Sequence, residues 1–185
     1  MNKNVLKNII KNAYTLFKEK GYKETTILDI CEACSITKTT FYRYVNSKED
    51  LLAYYFDDID DDLIQLVVQI AQSNNHVDSL LSVFQIVIDR MQIFGQDLYA
   101  QLYISNLNGN NNSFDDNKLL KEVSIALIRK AQDMKQIQNR NDAEELYETC
   151  KMVCFGGGIL WCLNQIEDVE TEILKTIKAT LQVVE

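Results

Sequence analysis

The sequence predicts an all-α fold of about nine helices, on three observations. The chain of 185 residues contains no proline and only six glycines, three of them together at Gly156 to Gly158, so helix breakers are few. Apolar residues recur at i, i+3, i+4 and i+7 along several stretches, the period of one helical face. No stretch of any length shows the strict alternation of a half-buried strand. At 46% hydrophobic residues the chain can bury a substantial core, as one domain or as a small domain beside a larger one.

The first helix is expected over residues 3–20, where Val5, Ile9, Ala13, Leu16 and Phe17 form one stripe and Gly21 stands in the place of a left-handed cap. The second is expected over 27–34, capped by Thr25 or Thr26, with Asp29 in its first turn. Ser35 makes the turn, and Thr37 caps a short third helix over 38–44. Ser47 caps a fourth, with Asp50 three residues on in the manner of a capping box. This fourth helix should run to about residue 72 and link the N-terminal part to the rest. Residues 73–76, SNNH, read as a turn, and 77–106 as helical with Gly95 as the place for a break. Residues 106–117, NLNGNNNSFDDN, read as a polar loop, and helices follow at about 118–135, 143–165 and 170–184.

The short third helix is distinctive in what it exposes. Phe41 and Val45 point inward at i, i+4, which leaves Lys38, Thr39, Thr40, Tyr42 and Arg43 outside. Such a surface suits the major groove of DNA: lysine and arginine meet phosphates or guanine, threonine meets phosphates or bases, and tyrosine hydrogen-bonds a phosphate. The net charge of −8 runs against nucleic-acid binding for the chain as a whole, but it is unevenly spread. Residues 1–52 hold nine Lys and Arg against six Asp and Glu, whereas 53–185 hold ten against twenty-one. Positive charge thus accompanies the groove-reading segment, and the acidic remainder repels DNA and helps to orient the protein on it.

Five cysteines, an odd number, do not make a disulfide framework. The polar, helix-like residues 1–12 lead us to expect no signal peptide, and the longest apolar run, residues 152–163, falls short of the roughly 20 residues of a membrane span. A reduced, cytoplasmic protein with no membrane partner is expected.

Ala13, Leu16, Phe17, Gly21, Tyr22, Thr26, Asp29, Ile30, Ile36, Thr37, Lys38, Thr40, Phe41, Tyr42, Tyr44, Ser47, Lys48, Glu49 and Leu51 stand in unbroken order and spacing. In this they resemble the N-terminal domain of the tetracycline-repressor (TetR) family of bacterial transcription regulators. The resemblance covers roughly the first 50 residues; the rest is similar to the family only in being helical, of the right length and ending in two apolar helices. It implies a helix-turn-helix DNA-binding domain over 1–46 and a ligand-binding and dimerisation domain over 47–185. Two positions depart from the family pattern. Ser35 stands where the family usually has glycine, at about 1 kcal/mol if the backbone there is left-handed. Thr39 stands where glycine is frequent, and adds a side chain at the DNA surface.

By this resemblance Thr37, Lys38, Thr39, Thr40 and Arg43 contact the groove and its phosphates, and Tyr42 and Tyr44 bond phosphates. Thr26 and Lys48 sit at helix starts, where exposed amides and the dipole favour phosphate. The resemblance further implies a homodimer on a palindromic DNA operator, its half-sites about 34 Å apart. Repression would then be relieved by a small molecule that changes the spacing of the two recognition helices. The alternative is a DNA-binding protein without small-molecule control, architectural or protein-regulated.

In the second part, Gly157, Ile159, Leu160, Ile173, Ile177, Leu181 and Val184 are candidates for the dimer interface, since the last helix carries an apolar stripe and the one before it is apolar nearly all round. The three glycines either let a neighbouring helix approach closely or kink the helix beside a pocket. Phe84, Met91, Phe94, Tyr99, Tyr103, Met134, Tyr147, Phe155 and Trp161 are candidate ligand contacts, with Tyr99 and Tyr103 favoured for their polar tips. As a set they suit a largely apolar or aromatic ligand, although such residues at helical spacing are more often plain core.

Other signals point to no chemistry. Cys31 and Cys34 form a single CxxC inside a helix with no second pair, so small buried thiols are expected rather than zinc. Cys150 and Cys154 lie at i, i+4, with Cys162 further along, a spacing that could serve a redox switch but gives little weight to one. The acidic run Asp57, Asp58, Asp60, Asp61 and Asp62 reads as a solvated face rather than a metal site. His76 is the single histidine and lies in a turn, so no nucleophile has a base to activate it, and no glycine-rich phosphate loop is present. No catalytic residue, metal or cofactor is expected.

Overall fold

The computed structural model describes residues 3–54, 59–71, 73–109, 114 and 117–184. Their regular structure is ten α-helices and one isolated antiparallel bridge, Ile137 with Val183, so the fold class is all-α as expected. The helices are α1 Lys3–Lys20, α2 Ile27–Ala33, α3 Lys38–Tyr42, α4 Asp50–Ala53, α5 Ile59–Ile70, α6 His76–Phe94, α7 Gln96–Gly109, α8 Lys118–Asp133, α9 Ala143–Cys162 and α10 Val169–Leu181. The expected helix over 47–72 is described as two segments, α4 and α5; its middle, with Asp57 and Asp58 of the acidic run, lies outside the described residues. Most of the polar loop before α8 lies outside them too. The stretch 77–106 does break at Gly95, whose φ of 87° ends α6.

The chain forms two compact units, one within residues 1–57 and 97–114, the other within 58–96 and 115–185. In the first, the stripe on α1 is buried at Ile9, Ala13 and Phe17, together with Ile30 and Cys31 of α2, Phe41 of α3, Val45, and Leu51 and Leu52 of α4. Gly21 ends α1 at φ 91°, a conformation that side chains avoid, and its amide closes on the Phe17 carbonyl at 3.1 Å. The Tyr14 hydroxyl donates to the Leu51 carbonyl and ties α1 to α4. Tyr99 and Tyr103 of α7 stack edge to face at 5.0 Å, with Phe114 against them.

In the second unit α6, α8, α9 and α10 pack on one another, with α5 against α6 and α8. Gln136 joins the ends: its side-chain amide donates to the Asn74 carbonyl at 2.7 Å and accepts from the His76 amide at 2.9 Å. Lys121 of α8 bridges Glu144 and Glu148 of α9 at 2.7 and 3.3 Å.

At the contact of α9 with α10, a Cβ on Gly157 would lie 2.5 Å from Ile173 Cγ1 and 2.9 Å from its Cδ1. Only glycine admits Ile173 at this distance, whereas Gly156 has nothing within 4 Å of such a carbon. Gly156→Ala is therefore expected to gain about 1 kcal/mol of helix propensity. Gly157→Ala should fall short of it by the overpacking term, about 1–3 kcal/mol. Thermal or urea melts of the pair check this, and equal stabilities would contradict the close approach.

Among the described residues, one buried side-chain polar atom is unmatched. Ser124 on α8 is 0% exposed, and its hydroxyl meets no hydrogen-bond partner among the described residues. An orphaned buried hydroxyl costs about 1–3 kcal/mol. Ser124→Ala is expected to raise the melting temperature of the ligand-free protein, and a fall would show that the hydroxyl does have a partner.

Candidate nucleic-acid interface

The helix-turn-helix is assembled by local hydrogen bonds. Thr26 is the N-cap of α2: its hydroxyl accepts from the Asp29 amide at 3.2 Å, while the Asp29 carboxylate accepts from the Thr26 amide at 2.6 Å and from the Thr26 hydroxyl at 2.7 Å. This reciprocal box satisfies donors that the helix leaves open. Hydrogen bonds from the Thr26 hydroxyl and amide, and then from Lys20, hold the Asp29 carboxyl down at about 2, against an ordinary value of 3.8. An acid with a depressed folded pKa stabilises the fold above its unfolded value and loses that contribution as pH falls through the folded one. Melting temperature should therefore drop between about pH 4 and pH 2, and Asp29→Asn should flatten the drop. Parallel curves for the two proteins would contradict the assignment.

Beyond α2 the chain turns at Ser35 with φ 53°, in the left-handed region that a glycine would occupy without strain. Thr37 then caps α3, its hydroxyl accepting from the Thr40 amide at 3.1 Å and pairing with the Thr40 hydroxyl at 3.0 Å. Phe41 and Val45 anchor the segment at 0% and 2% exposure. Lys38, Thr39, Tyr42 and Arg43 face outward, and Thr40 is half-buried. Helix α3 stops at Tyr42, so Arg43 and Tyr44 lie in the turn after it, the guanidinium 5.5 Å from the centre of the Tyr44 ring. Lys23, Thr26, Tyr42 and Asn46 border one shallow groove of about 360 Å³. The Ser47 hydroxyl accepts from the Asp50 amide at 3.1 Å and donates to its carboxylate at 2.8 Å, but helical geometry begins only at Asp50, so the N-cap of α4 is Glu49, with no side-chain cap bond, rather than the expected Ser47.

Lys48 points inward. Its ammonium donates to the carbonyls of Tyr22 at 2.7 Å and Thr25 at 2.9 Å, and lies 4.2 Å from the centre of the Tyr22 ring. Sequence reasoning missed this inward contact; the only signal was a lysine and a tyrosine on facing turns.

The other candidates are more scattered. Phe84, Met91, Phe94 and Tyr147 are buried in the second unit, and Phe155 and Trp161 are half-buried there. Met134 stands 61% exposed at the C-cap of α8. Tyr99 and Tyr103 belong to the first unit. Of the interface candidates, Ile173, Ile177 and Leu181 are at most 1% exposed in the single chain, so they have no surface left to bury against a second copy. This corrects the interface expected for α10: Gly157 receives Ile173 of the same chain. Ile159, Leu160 and Val184 remain exposed, and Met152, Gly156 and Leu163 join the first two on one outward face of α9.

Burial pushes the Cys150 thiol up to about 12, and burial and its neighbour Cys150 do the same for Cys154. Such thiols stay protonated and unreactive at neutral pH.

The capped α2, the tight turn at Ser35 and the exposed α3 define a helix-turn-helix protein. Residues 9–55 match the model of the family described as bacterial regulatory proteins, tetR family. Over 55 residues the chain is 46% identical to YuxN, an uncharacterized HTH-type transcriptional regulator of Bacillus subtilis, a match covering 28% of this chain and 19% of YuxN. Over 97 residues it is 30% identical to IcaR of Staphylococcus epidermidis, the negative transcriptional regulator of the biofilm operon icaADBC, covering 52% of this chain and 50% of IcaR. The chain thus spans half or less of the length of these relatives. Its fold is similar to that of FadR, a tetR-family repressor of Thermus thermophilus solved with lauroyl-CoA, at TM-score 0.74 and 20% identity over 97% of this chain and 96% of that one. It is also similar to a transcriptional regulator of Saccharomonospora viridis solved with choline, at TM-score 0.66 and 15% identity over the whole of both chains.

Proposed function

We propose that this protein is a DNA-binding transcriptional regulator, acting as a repressor, that reads a palindromic operator as a homodimer. The observation that carries the reading is the outward row Lys38, Thr39, Tyr42 and Arg43 on a capped α3, within a segment matching the tetR family. Cations and hydroxyls set on one rigid element suit phosphate and base-edge contacts. The α9 face formed by Met152, Ile159, Leu160 and Leu163 is the proposed surface between copies: it is apolar and exposed.

Control by a small, largely apolar or aromatic molecule belongs to the same proposal. Its site would lie in the second unit, among buried rings such as Phe84, Phe94 and Tyr147. The Ser124 hydroxyl there is a polar atom that a ligand could satisfy. FadR and the choline-bound regulator hold small molecules, which supports the class of control and says nothing of the molecule. Such a ligand must bind one arrangement of the two reading helices better than the other, because equal affinity shifts no equilibrium.

The test is fluorescence anisotropy against the DNA flanking the protein's own gene, with a scrambled competitor and a salt series. A site preferred by about 10³-fold or more is the expected result. Equal binding to both DNAs, lost steeply with salt, would be electrostatic only and would count against the reading.

A further inference from the structure

A lysine at the start of the turn into α4 is an obvious place to look for a phosphate contact, yet the surroundings of Lys48 assign it another task. An ammonium carries three N–H groups. Two are held by the carbonyls of Tyr22 and Thr25, at 2.7 and 2.9 Å, and the Tyr22 ring covers the group at 4.2 Å. Burial lowers the lysine's pKa, opposed by the nearby Glu49 and Glu24 carboxylates. The ring is itself fixed, edge-on to Phe17 at 5.0 Å, with its hydroxyl donating to Glu49 at 3.1 Å. The gripped carbonyls belong to the connection between α1 and α2. Thr25 is buried, and its hydroxyl is bonded back to the Gly21 carbonyl at 2.7 Å. The next residue, Thr26, caps α2.

Resting on the DNA-binding reading above, we propose that Lys48 is a positioning residue. It fixes the connection 22–25, and with it the start of α2, to the turn 47–49 that follows α3, and it contacts no phosphate itself. Helix α3 is thereby held at both ends, upstream through α2 and downstream through the clamped turn. Its exposed side chains then meet DNA in one orientation.

The two roles differ in a measurable way. Loss of a phosphate contact lowers the slope of log K against log salt by about 0.9, whereas loss of positioning weakens binding at every salt concentration equally. The experiment measures anisotropy salt series on the full chain for wild type, Lys48→Met, Tyr22→Leu, the double variant, and Arg43→Met as the phosphate-type control. Amide exchange at Thr25 and Ile30, whose amides bond the Gly21 and Thr26 carbonyls, is followed without DNA. Lys48→Met is expected to bind about tenfold more weakly with the wild-type slope, and to exchange both amides faster. Tyr22→Leu should do the same although it keeps the lysine charge, and the double variant should be no worse than the weaker single one, because the two side chains act as one unit. A slope lowered by about one with both amides still protected would make Lys48 a phosphate contact and overturn the proposal. Unchanged affinity would overturn it as well. Should Lys48→Met fail to fold, Tyr22→Leu alone decides, by weakened binding at unchanged slope or by unchanged affinity. A wild type without any preferred site removes the DNA reading and this proposal with it, a failure visible before any variant is compared.

Discussion

The Lys38→Ala/Arg43→Ala double variant is expected to lose at least about 100-fold in affinity for the preferred DNA site while keeping its fold. Each phosphate or base contact removed costs about 1–3 kcal/mol, and each lost phosphate contact lowers the salt slope by about one. Both side chains are exposed, so their removal leaves no cavity. Phe41 and Val45, which hold α3 to its neighbours, are untouched, and so are the Thr37 cap and its bond to the Thr40 amide. Melting temperature should therefore stay within a degree or two of wild type, as for other surface changes. Affinity within threefold of wild type would move the DNA-reading surface elsewhere on the molecule.

Phe41→Ala should give the complementary result: loss of binding through loss of the fold. Phe41 is 0% exposed, and removing a buried phenylalanine costs about 3–5 kcal/mol. A compact unit as small as the first has little more than that to lose. Residues of α1 to α3 should then exchange their amides at nearly the unfolded rate. Trp161, the only tryptophan, belongs to the second unit, so its fluorescence follows a different part of the chain. The expected pattern is a denaturation midpoint for α1 to α3, followed by exchange, well below the tryptophan midpoint. Wild-type protection in α1 to α3 would show that the ring is not the anchor that its burial indicates.

What could be read from the sequence was local. The caps at Thr37 and at Thr26, one of the two residues expected there, act on amides three residues away, so residue type and spacing were enough to find them. The buried stripe of α1 followed from a 3.6-residue period, and the break at Gly95 from the one residue type that accepts φ 87° without strain. What could not be read depends on contacts across long separations. Lys48 turns inward because carbonyls 23 and 26 residues earlier come within hydrogen-bond reach. The apolar stripe Ile173, Ile177 and Leu181 was legible, but periodicity does not say whether its partner is the same chain or a second copy. Gly157, lying under Ile173, answers that for one of the three. The exposure of Met134 and the unmatched hydroxyl of Ser124 belong to the same class, since each depends on which residues fold over it.

Helix α3 is five residues long, Lys38–Tyr42. At 1.5 Å per residue that is about 7.5 Å, little more than the rise of two base pairs. With the side chains at its ends, a reading head of this size distinguishes about four base pairs, a word that recurs by chance roughly once in 250. A chromosome offers about 10⁶ or more competing positions, so one such word is no address. Two copies held at a fixed separation square the odds, and flanking contacts lengthen the word further. In the homodimer proposed above, doubling the chain would therefore serve information before it serves affinity: with so short an α3, one subunit would grip DNA without being able to find one gene.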